Sequence, residues 1–312
     1  MTFPSTSSAD AVIAVTGLSR CFGSKLALDE VSLFVPRGSV FGLVGENGAG
    51  KTTLIKHILG LLKAESGSVR VFGKNPVADP VGVLSHVGYL SEHRDLPAWM
   101  RVDQLLCYTR AFYPGWDPHY AEQLREQFGL DPAARVKTLS QGQQAKAGLL
   151  IALAFRPELL LLDEPSSGLD PVVRRDILEA IIRTVADEGR TVLFSSHLLD
   201  EVERVSDQLA MIHHGRLVLC GRLDEIKESH RRLVLRFDSP QTALPSMKQA
   251  LSIRGSGREW TVLCNGERNA LCASLQQLGA RVVDEQIPSL DEIFVAHAGR
   301  KAGEAESSTA LS

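Results

Sequence analysis

The sequence has few cysteines, few aromatic residues and no excess of one charge. Its 312 residues include five cysteines. They form no CxxC pair and are odd in number, so a disulfide framework is not expected and a reducing compartment fits better. Aromatic residues make up 6% of the chain and the net charge is −3. No basic patch with interleaved aromatics occurs, so we expect no direct binding of nucleic acid.

Long hydrophobic runs are also missing. The longest near-apolar stretch, Ala147–Phe155, is about half as long as the ~20 residues that a helix needs to cross a bilayer. Residues 1–10 have neither the basic nor the apolar region of a secretory signal, and we expect this Ser/Thr-rich segment to be flexible. The chain is therefore predicted not to span a membrane by itself, although it can bind a protein that does.

Strand and helix patterns alternate in two parts of the chain, which predicts a parallel sheet with helices on its faces. The apolar run Val40–Val44 is typical of a buried strand, and Lys51–Leu62 has helical spacing, with a glycine cluster between them. Shorter strands are predicted at Val12–Val15 and Val31–Val35. The second part is predicted to contain strands at Leu159–Leu162, Thr191–Ser195 and Gln208–Ile212 and helices at Val172–Ala186 and Leu198–Val205.

Two further regions differ from this pattern. Residues from about 95 to 157 are predicted to form a mostly helical insertion, with helices at Val102–Ala111, Tyr120–Phe128 and Gln143–Phe155. Residues 230–298 are predicted to form a small α+β domain, and residues 299–312 a disordered tail. In that domain we place strands at Leu233–Phe237, Trp260–Cys264 and Arg281–Val283 and helices at Thr242–Leu251, Arg268–Leu278 and Pro288–Ala298.

The glycine cluster matches the GxxxxGK[ST] pattern of a phosphate-binding loop. Glycines let the backbone curl so that successive N–H groups point at phosphate oxygens, and the following helix adds its positive end. Lys51 is expected to reach the β- and γ-phosphates, and the Thr52 hydroxyl to ligate Mg²⁺. The predicted nucleotide contacts are Gly45, Glu46, Asn47, Gly48, Ala49, Gly50, Lys51, Thr52 and Thr53.

Two acids, Asp163 and Glu164, stand at the end of the apolar strand Leu159–Leu162. A carboxylate at a strand tip beside a phosphate loop can hold Mg²⁺ directly or through water, and the next acid can polarise an attacking water. A buried strand with a capping acid is the structural alternative. The phosphate loop favours the functional interpretation.

Together these motifs resemble the nucleotide-binding subunit of an ATP-binding cassette (ABC) transporter, over about residues 11–228. The sequence LSQGQ is similar to the family signature LSGGQ. The resemblance implies a P-loop NTPase cassette at 11–229 with a helical subdomain at about 95–157. It also implies a dimer, in which the signature contacts ATP bound on the other subunit. The signature residues are Ser140, Gln141, Gly142 and Gln143.

Four more residues occupy family positions, in the family's order. The resemblance implies that Phe22 stacks on adenine, that Glu92 stands at the Q-loop, that Asp170 belongs to the D-loop and that His197 is the switch histidine. It implies Glu164 and His197 as the catalytic residues. The implied Mg²⁺ ligands are Thr52, Glu92 and Asp163.

Two positions depart from the family pattern. Gln141 replaces a Gly or Ser of many signatures, a position at which we expect tolerance. Glu92 replaces the Gln of many Q-loops and adds negative charge near the γ-phosphate. A carboxylate there can still ligate Mg²⁺ or hold a water.

The resemblance implies an ATPase that powers membrane transport together with separate membrane-spanning permease subunits and a second cassette, either identical or a paralogue. We expect a cytoplasmic protein, peripheral on the cytoplasmic face of the membrane. The phrase Phe112–Asp117 and the segment Pro288–Phe294 resemble bacterial ABC-2-type exporters, so export is favoured over import.

Two other classes of function are compatible with a phosphate-binding loop. A non-transport ABC ATPase acting on ribosomes or DNA is the first, but such proteins carry two cassettes or long heptad arms. A binding scaffold without hydrolysis is the second, but it would be expected to lose Lys51 or Glu164. We further hypothesise that residues 230–298 contribute to dimer contact or regulation.

Overall fold

The computed structural model describes residues 11–186, 189–245, 247, 250–266 and 268–309. It divides the chain into two compact units at Cys220/Gly221, whereas the sequence pattern suggested a boundary at 229/230. The predicted flexible segment 1–10 lies outside the described residues. No helix in the described part of the chain is both long enough and apolar enough to cross a bilayer.

Two sheets form the first unit. Its strands are β1 (Ala11–Phe22), β2 (Lys25–Pro36), β3 (Val40–Val44), β4 (Ser66–Val71), β5 (Val87–Leu90), β6 (Leu159–Leu162), β7 (Thr191–Ser196), β8 (Gln208–His213) and β9 (Arg216–Arg222). One sheet has the order β5-β6-β7-β3-β8-β9, and its pairs from β5 to β8 are parallel. The other has the antiparallel order β2-β1-β4.

Helices connect and cover these strands. They are α1 (Lys51–Ile58), α2 (Pro80–Leu84), α3 (Val102–Arg110), α4 (Pro118–Gln127), α5 (Gln141–Leu153), α6 (Pro171–Ala186) and α7 (Leu199–Val205), with a 3₁₀ turn at Val136–Thr138. Every residue of β3, β6 and β7 is buried, which explains their continuous apolar runs. The predicted α/β fold is confirmed. In a parallel sheet the carboxyl ends of β3, β6 and β7 meet at one edge, and the motifs follow these ends.

The second unit is a three-stranded antiparallel sheet with helices. Its elements are α8 (Leu223–Ser229), β10 (His230–Gln241), β11 (Ala250–Asn265), α9 (Arg268–Gln277), β12 (Ala280–Gln286) and α10 (Leu290–Thr309), and the strand order is β11-β10-β12. Its core joins strand residues such as Leu235 and Val262 to Leu271 and Leu275 of α9.

Two segments of this unit differ from the sequence expectation. The helix predicted at Thr242–Leu251 is wrong, because Ala250 already begins β11 and the described residues before it are not helical. Pro245 disfavours a helix there, and Leu244 and Met247 pack on the sheet core without one. The segment predicted as a disordered tail instead continues α10 to Thr309. Residues 310–312 lie outside the description.

Candidate functional site

A cavity of about 250 Å³ opens where β3 ends and α1 begins. The loop between them supplies its floor, β1 and β2 supply one wall, and the segments after β5 and β6 supply another. The residues that line it are Phe22, Lys25, Ala27, Glu46, Asn47, Gly48, Gly50, Lys51, Thr52, Thr53, Glu92 and Glu164. Ten of the sequence-predicted residues at the ATP site therefore face one space.

The loop has this shape because glycine stands where a side chain has no room. Gly50 has φ 112°, and a Cβ there would lie 2.6 Å from the carbonyl oxygen of Ala27. Gly48 also has positive φ, at 79°. Helix α1 starts directly after Gly50, so its unpaired N–H groups and positive end face the cavity. The two remaining loop residues, Gly45 and Ala49, do not line it.

Lys51 is buried, and its ammonium is held by the loop and by an acid. The Nζ atom donates to Gly45 O at 2.5 Å and to Glu46 O at 3.2 Å. It also lies 2.9 Å from Glu164 Oε1, and both side chains are only 5% exposed. Burying these charges costs free energy unless they are paired. The ion pair therefore holds the Lys51 ammonium beside the cavity.

Glu164 connects Lys51 to His197. Its second oxygen, Oε2, accepts a hydrogen bond from His197 Nδ1 at 2.7 Å. The backbone of Glu164 is left-handed, with φ 48°, a conformation that costs a non-glycine residue of order 1 kcal/mol. Its N–H donates to Ser195 Oγ at 2.9 Å, and that hydroxyl donates to Asp163 Oδ1 at 2.7 Å. Strain is thus stored at the residue that the sequence selects as catalytic.

An aromatic ring and two cations lie at the mouth of the cavity. Phe22 is 46% exposed, and the guanidinium of Arg20 lies 4.8 Å from its ring centroid. One face of the ring can therefore be covered by Arg20 while the other stays available for a base. Lys25 also lines the cavity, and a Cβ on Gly48 would lie 3.9 Å from its Nζ. Lys25 was not predicted from the sequence, where its only signal is its place three residues after Phe22.

Glu92 lines the same cavity, close to the half-buried Arg94. Arg94 Nη2 donates to the backbone oxygens of Ser167 at 2.6 Å and Pro165 at 3.4 Å. Burial lowers the pKa of Arg94, and the nearby Glu92 opposes this shift. Burial and the charge of Asp163 raise the pKa of Tyr89 to about 12, so this phenol stays neutral. The hydrogen bonds of Arg94 thus connect the segment that carries Glu92 to the loop after Glu164.

The signature residues lie elsewhere. Ser140 caps α5, with its Oγ accepting from Gln143 N at 3.2 Å and its N–H donating to Gln143 Oε1 at 3.0 Å. A Cβ on Gly142 would lie 2.9 Å from Val173 of α6. Asp170 caps α6 by accepting from the N–H groups of Val172 and Val173. Ser140, Gln141, Gly142, Gln143 and Asp170 are not among the residues that line the cavity.

The oxygen donors near the cavity fit Mg²⁺. Thr52 and Glu92 line the space, and Asp163 stands one residue before Glu164 with one carboxylate oxygen held by Ser195. A hydroxyl and two carboxylates form a hard donor set, which magnesium prefers, and magnesium binds through few protein ligands plus phosphates. No group of three His, Cys, Asp or Glu suited to a metal occurs among the described residues. The set therefore needs oxygens from a nucleotide to be complete.

Comparisons with known proteins agree with this geometry. The profile of the ABC transporter family matches residues 28–167. The chain is 33% identical over 301 residues to the uncharacterized ABC transporter ATP-binding protein YhaQ of Bacillus subtilis (strain 168), covering 92% of this chain and 99% of that protein. It is 30% identical over 245 residues to the bacitracin transport ATP-binding protein BcrA of Bacillus licheniformis, covering 78% and 80%.

A solved structure of an ATP-binding subunit of an ABC transporter superposes with a TM-score of 0.64 at 29% identity, covering 70% of this chain and 92% of that chain. The match to YhaQ extends over nearly the full length of both proteins. The chain belongs to the ATP-binding proteins of the ABC transporter family, which hydrolyse ATP to power transport.

Proposed function

We propose that this chain binds ATP with Mg²⁺ in the cavity at the start of α1, hydrolyses it with Glu164 and His197, and so drives a separate permease in export. The observation that carries the proposal is the position of Glu164, whose carboxylate lies 2.9 Å from Lys51 and 2.7 Å from His197 beside the phosphate loop.

Binding is proposed to begin with an exchange of partners at Lys51. Its ammonium contacts Gly45 O, Glu46 O and Glu164 Oε1. The β- and γ-phosphates carry more charge than these partners and compete for the ammonium. The exchange would release Glu164 Oε1 for a water molecule. The N–H groups of the loop and the start of α1 hold the remaining phosphate oxygens.

Hydrolysis then depends on placement and charge. Glu164 orients the attacking water and accepts its proton, while His197 fixes one carboxylate oxygen and faces the γ-phosphate. Thr52, Glu92 and Asp163 would hold Mg²⁺. When bound, the ion would neutralise charge on the β- and γ-phosphates.

A second cassette is part of the proposal. The signature and Asp170 do not line the cavity of their own chain, and the exposed side of Ser140 stands at the start of α5. A helix start with a free N–H end suits a phosphate. This placement supports a dimer in which each signature completes the other chain's site. The partner is an identical chain or a paralogue.

A permease contact is supported by exposed aromatic residues in the helical insertion. Trp99, Phe112 and Tyr108 are 70%, 62% and 51% exposed, which is unusual for side chains of this size. Tyr113, in contrast, is partly buried and stacks on Phe155, with the ring centroids 3.8 Å apart. We propose that the exposed group meets a cytoplasmic helix of the permease, which would place this chain on the cytoplasmic face of the membrane.

Export is the proposed direction. The relative BcrA is named for bacitracin transport, and the phrase Phe112–Asp117 resembles ABC-2-type exporters. A role on ribosomes or DNA gains no support from the described site.

The test is Glu164→Gln in the full chain. This change keeps the size of the side chain but removes the proton acceptor, so we expect ATP binding to persist and turnover to fall about 10²–10⁴-fold. Phosphate release and equilibrium dialysis measure the two quantities. An ATP-bound dimer should also accumulate, visible by size-exclusion chromatography. Near-normal turnover would rule out this assignment of Glu164.

A further inference from the structure

A buried carboxylate outside the nucleotide cavity joins four segments of the first unit. Glu201, on α7, has a side chain only 2% exposed. Its Oε2 accepts hydrogen bonds from Ser166 Oγ at 2.6 Å and Ser196 Oγ at 3.0 Å, and its Oε1 lies 3.2 Å from Arg174 Nε. We call Ser166, Arg174, Ser196 and Glu201 the Glu201 cluster.

Each partner of Glu201 stands beside a residue of the proposed reaction. Ser166 follows Glu164 by two positions, and Ser196 directly precedes His197. Arg174 lies on the first turn of α6, and its N–H donates to the carbonyl of Asp170. The carboxylate thus fastens the loop after β6 to the last residue of β7, and both to α6.

Burial makes it unfavourable for the members of the Glu201 cluster to exchange their partners. Ser166 and Ser196 are 1% and 0% exposed, so their hydroxyls cannot turn to water instead. A buried carboxylate without its cation and donors is costly, which disfavours arrangements that separate these segments. Glu164 needs such a constraint, because its left-handed backbone persists only where the surroundings determine it.

We propose that Glu201 is a positioning residue for ATP hydrolysis. It holds Glu164 and His197 in the positions in which their side chains form a hydrogen bond. It touches neither the cavity nor the proposed path of the proton, and it acts through the two loops that carry the reacting side chains. The proposal rests on the role proposed above for Glu164. It predicts a selective loss of turnover, whereas a merely structural carboxylate would predict loss of folding and binding together.

The experiment is Glu201→Gln in the full chain, compared with Asp200→Asn. Glu201→Gln keeps an acceptor oxygen for the serines but removes the charge that faces Arg174. We expect kcat to fall about tenfold or more, as misplaced catalytic groups do, while KM for ATP changes less than about twofold. Asp200→Asn removes the same charge from the same helix turn at an exposed position, and should leave both constants unchanged.

Epistasis with Glu164→Gln separates this proposal from the previous one. If Glu201 acts through Glu164, the double variant should turn over no more slowly than Glu164→Gln alone. Independent, multiplying losses would overturn the proposal, as would normal kcat in Glu201→Gln. If Glu164→Gln itself retains turnover, the assignment of Glu164 fails, whatever Glu201 does.

A smaller change covers the case in which Glu201→Gln does not fold. Ser166→Ala removes one hydroxyl from the Glu201 cluster and creates little space. We expect kcat to fall with unchanged ATP binding, and the melting temperature to fall only slightly, because Glu201 keeps its contacts with Ser196 and Arg174. A melting temperature that falls while kcat stays normal would assign the cluster to stability and overturn the proposal.

Discussion

The two units of the chain differ in how deeply their charged side chains are buried. Among residues whose burial is described, the first unit buries Lys51, Asp163, Glu164 and Glu201, all within or near the phosphate site. The ion pairs of the second unit lie near the surface, as in Arg281 with Asp238, which are 78% and 83% exposed. Burying an ion costs several kcal/mol after relaxation. The buried charges therefore lie in the unit that contains the phosphate site, where they lower the stability of the folded state.

The largest effect expected outside Glu164 is that of Lys51→Ala. Loss of this ammonium removes charge-assisted bonds to phosphate and leaves Glu164 buried without its cation, so ATP affinity should fall about tenfold to 100-fold. Isothermal titration calorimetry measures the dissociation constant. Lys56→Ala, at an exposed position of α1, is the matched control and should bind ATP normally. An unchanged constant for Lys51→Ala would count decisively against the phosphate loop.

Removal of the second unit tests whether the two units have separate functions. A chain ending after Arg222 keeps the whole of β9 on the first sheet. If the second unit contributes to dimer contact, ATP binding should persist while the dimer dissociation constant rises about tenfold, because the effective concentration of each signature falls. Sedimentation and the dependence of ATPase activity on protein concentration measure this. An unchanged dimer constant and specific activity would give the unit another task.

A pH effect on stability is expected in the second unit. His230 is a buried polar residue of this unit, with Nδ1 donating to Ile226 O at 2.6 Å and Nε2 at 3.0 Å from His297 Nε2. Burial lowers the pKa of His230 below its usual value, against the effect of the Ile226 carbonyl. The unfolded chain then takes up a proton near pH 6.5 that the folded unit does not. Stability is therefore full above about pH 6.5 and falls as the pH drops toward the lowered pKa.

Trp260 reports this effect, because it belongs to the core of the second unit. With Trp99→Phe and Trp116→Phe, denaturation followed by fluorescence reads that unit alone. We expect a lower midpoint at pH 5.5 than at pH 7.5, and a smaller difference in His230→Gln. Equal pH dependence with and without His230 would contradict this.

The smallest effect is expected at Lys25. The residue is exposed, so water and salt screen its charge, and Lys25→Ala should raise the ATP dissociation constant only about threefold. The difference should shrink at high salt. If it persists undiminished at 1 M salt, Lys25 acts by packing instead of by charge.

Much of the site was predictable because its pieces are local in sequence. Eight consecutive residues specify the phosphate loop, and the strand β6 ends directly in Asp163 and Glu164. The predicted strands β3, β6, β7 and β8 are present because short continuous apolar runs need burial on both faces. The short strand β4, in SGSVRV, was missed because half of its residues are polar and its signal is weak.

The helix predicted at Thr242–Leu251 shows the opposite case. Its apolar residues matched a helical spacing, but Leu244 and Met247 bury themselves on the second sheet without a helix, and Ala250 pairs into β11. The spacing indicated that these residues are buried, but it did not determine the backbone conformation in which they are buried. Tertiary packing decided the matter.

The sequence by itself determined the family, the phosphate loop, the acidic pair and the order of the motifs, because each depends on residues adjacent in the chain. Only the tertiary structure decided which distant groups meet. Ser166 and Glu201 are 35 positions apart, yet their side chains lie 2.6 Å apart in the interior. Lys51 and Glu164 are farther apart still along the chain and form a buried ion pair. Such contacts depend on strand order and helix packing, which bring the carboxyl ends of β3, β6 and β7 to one edge.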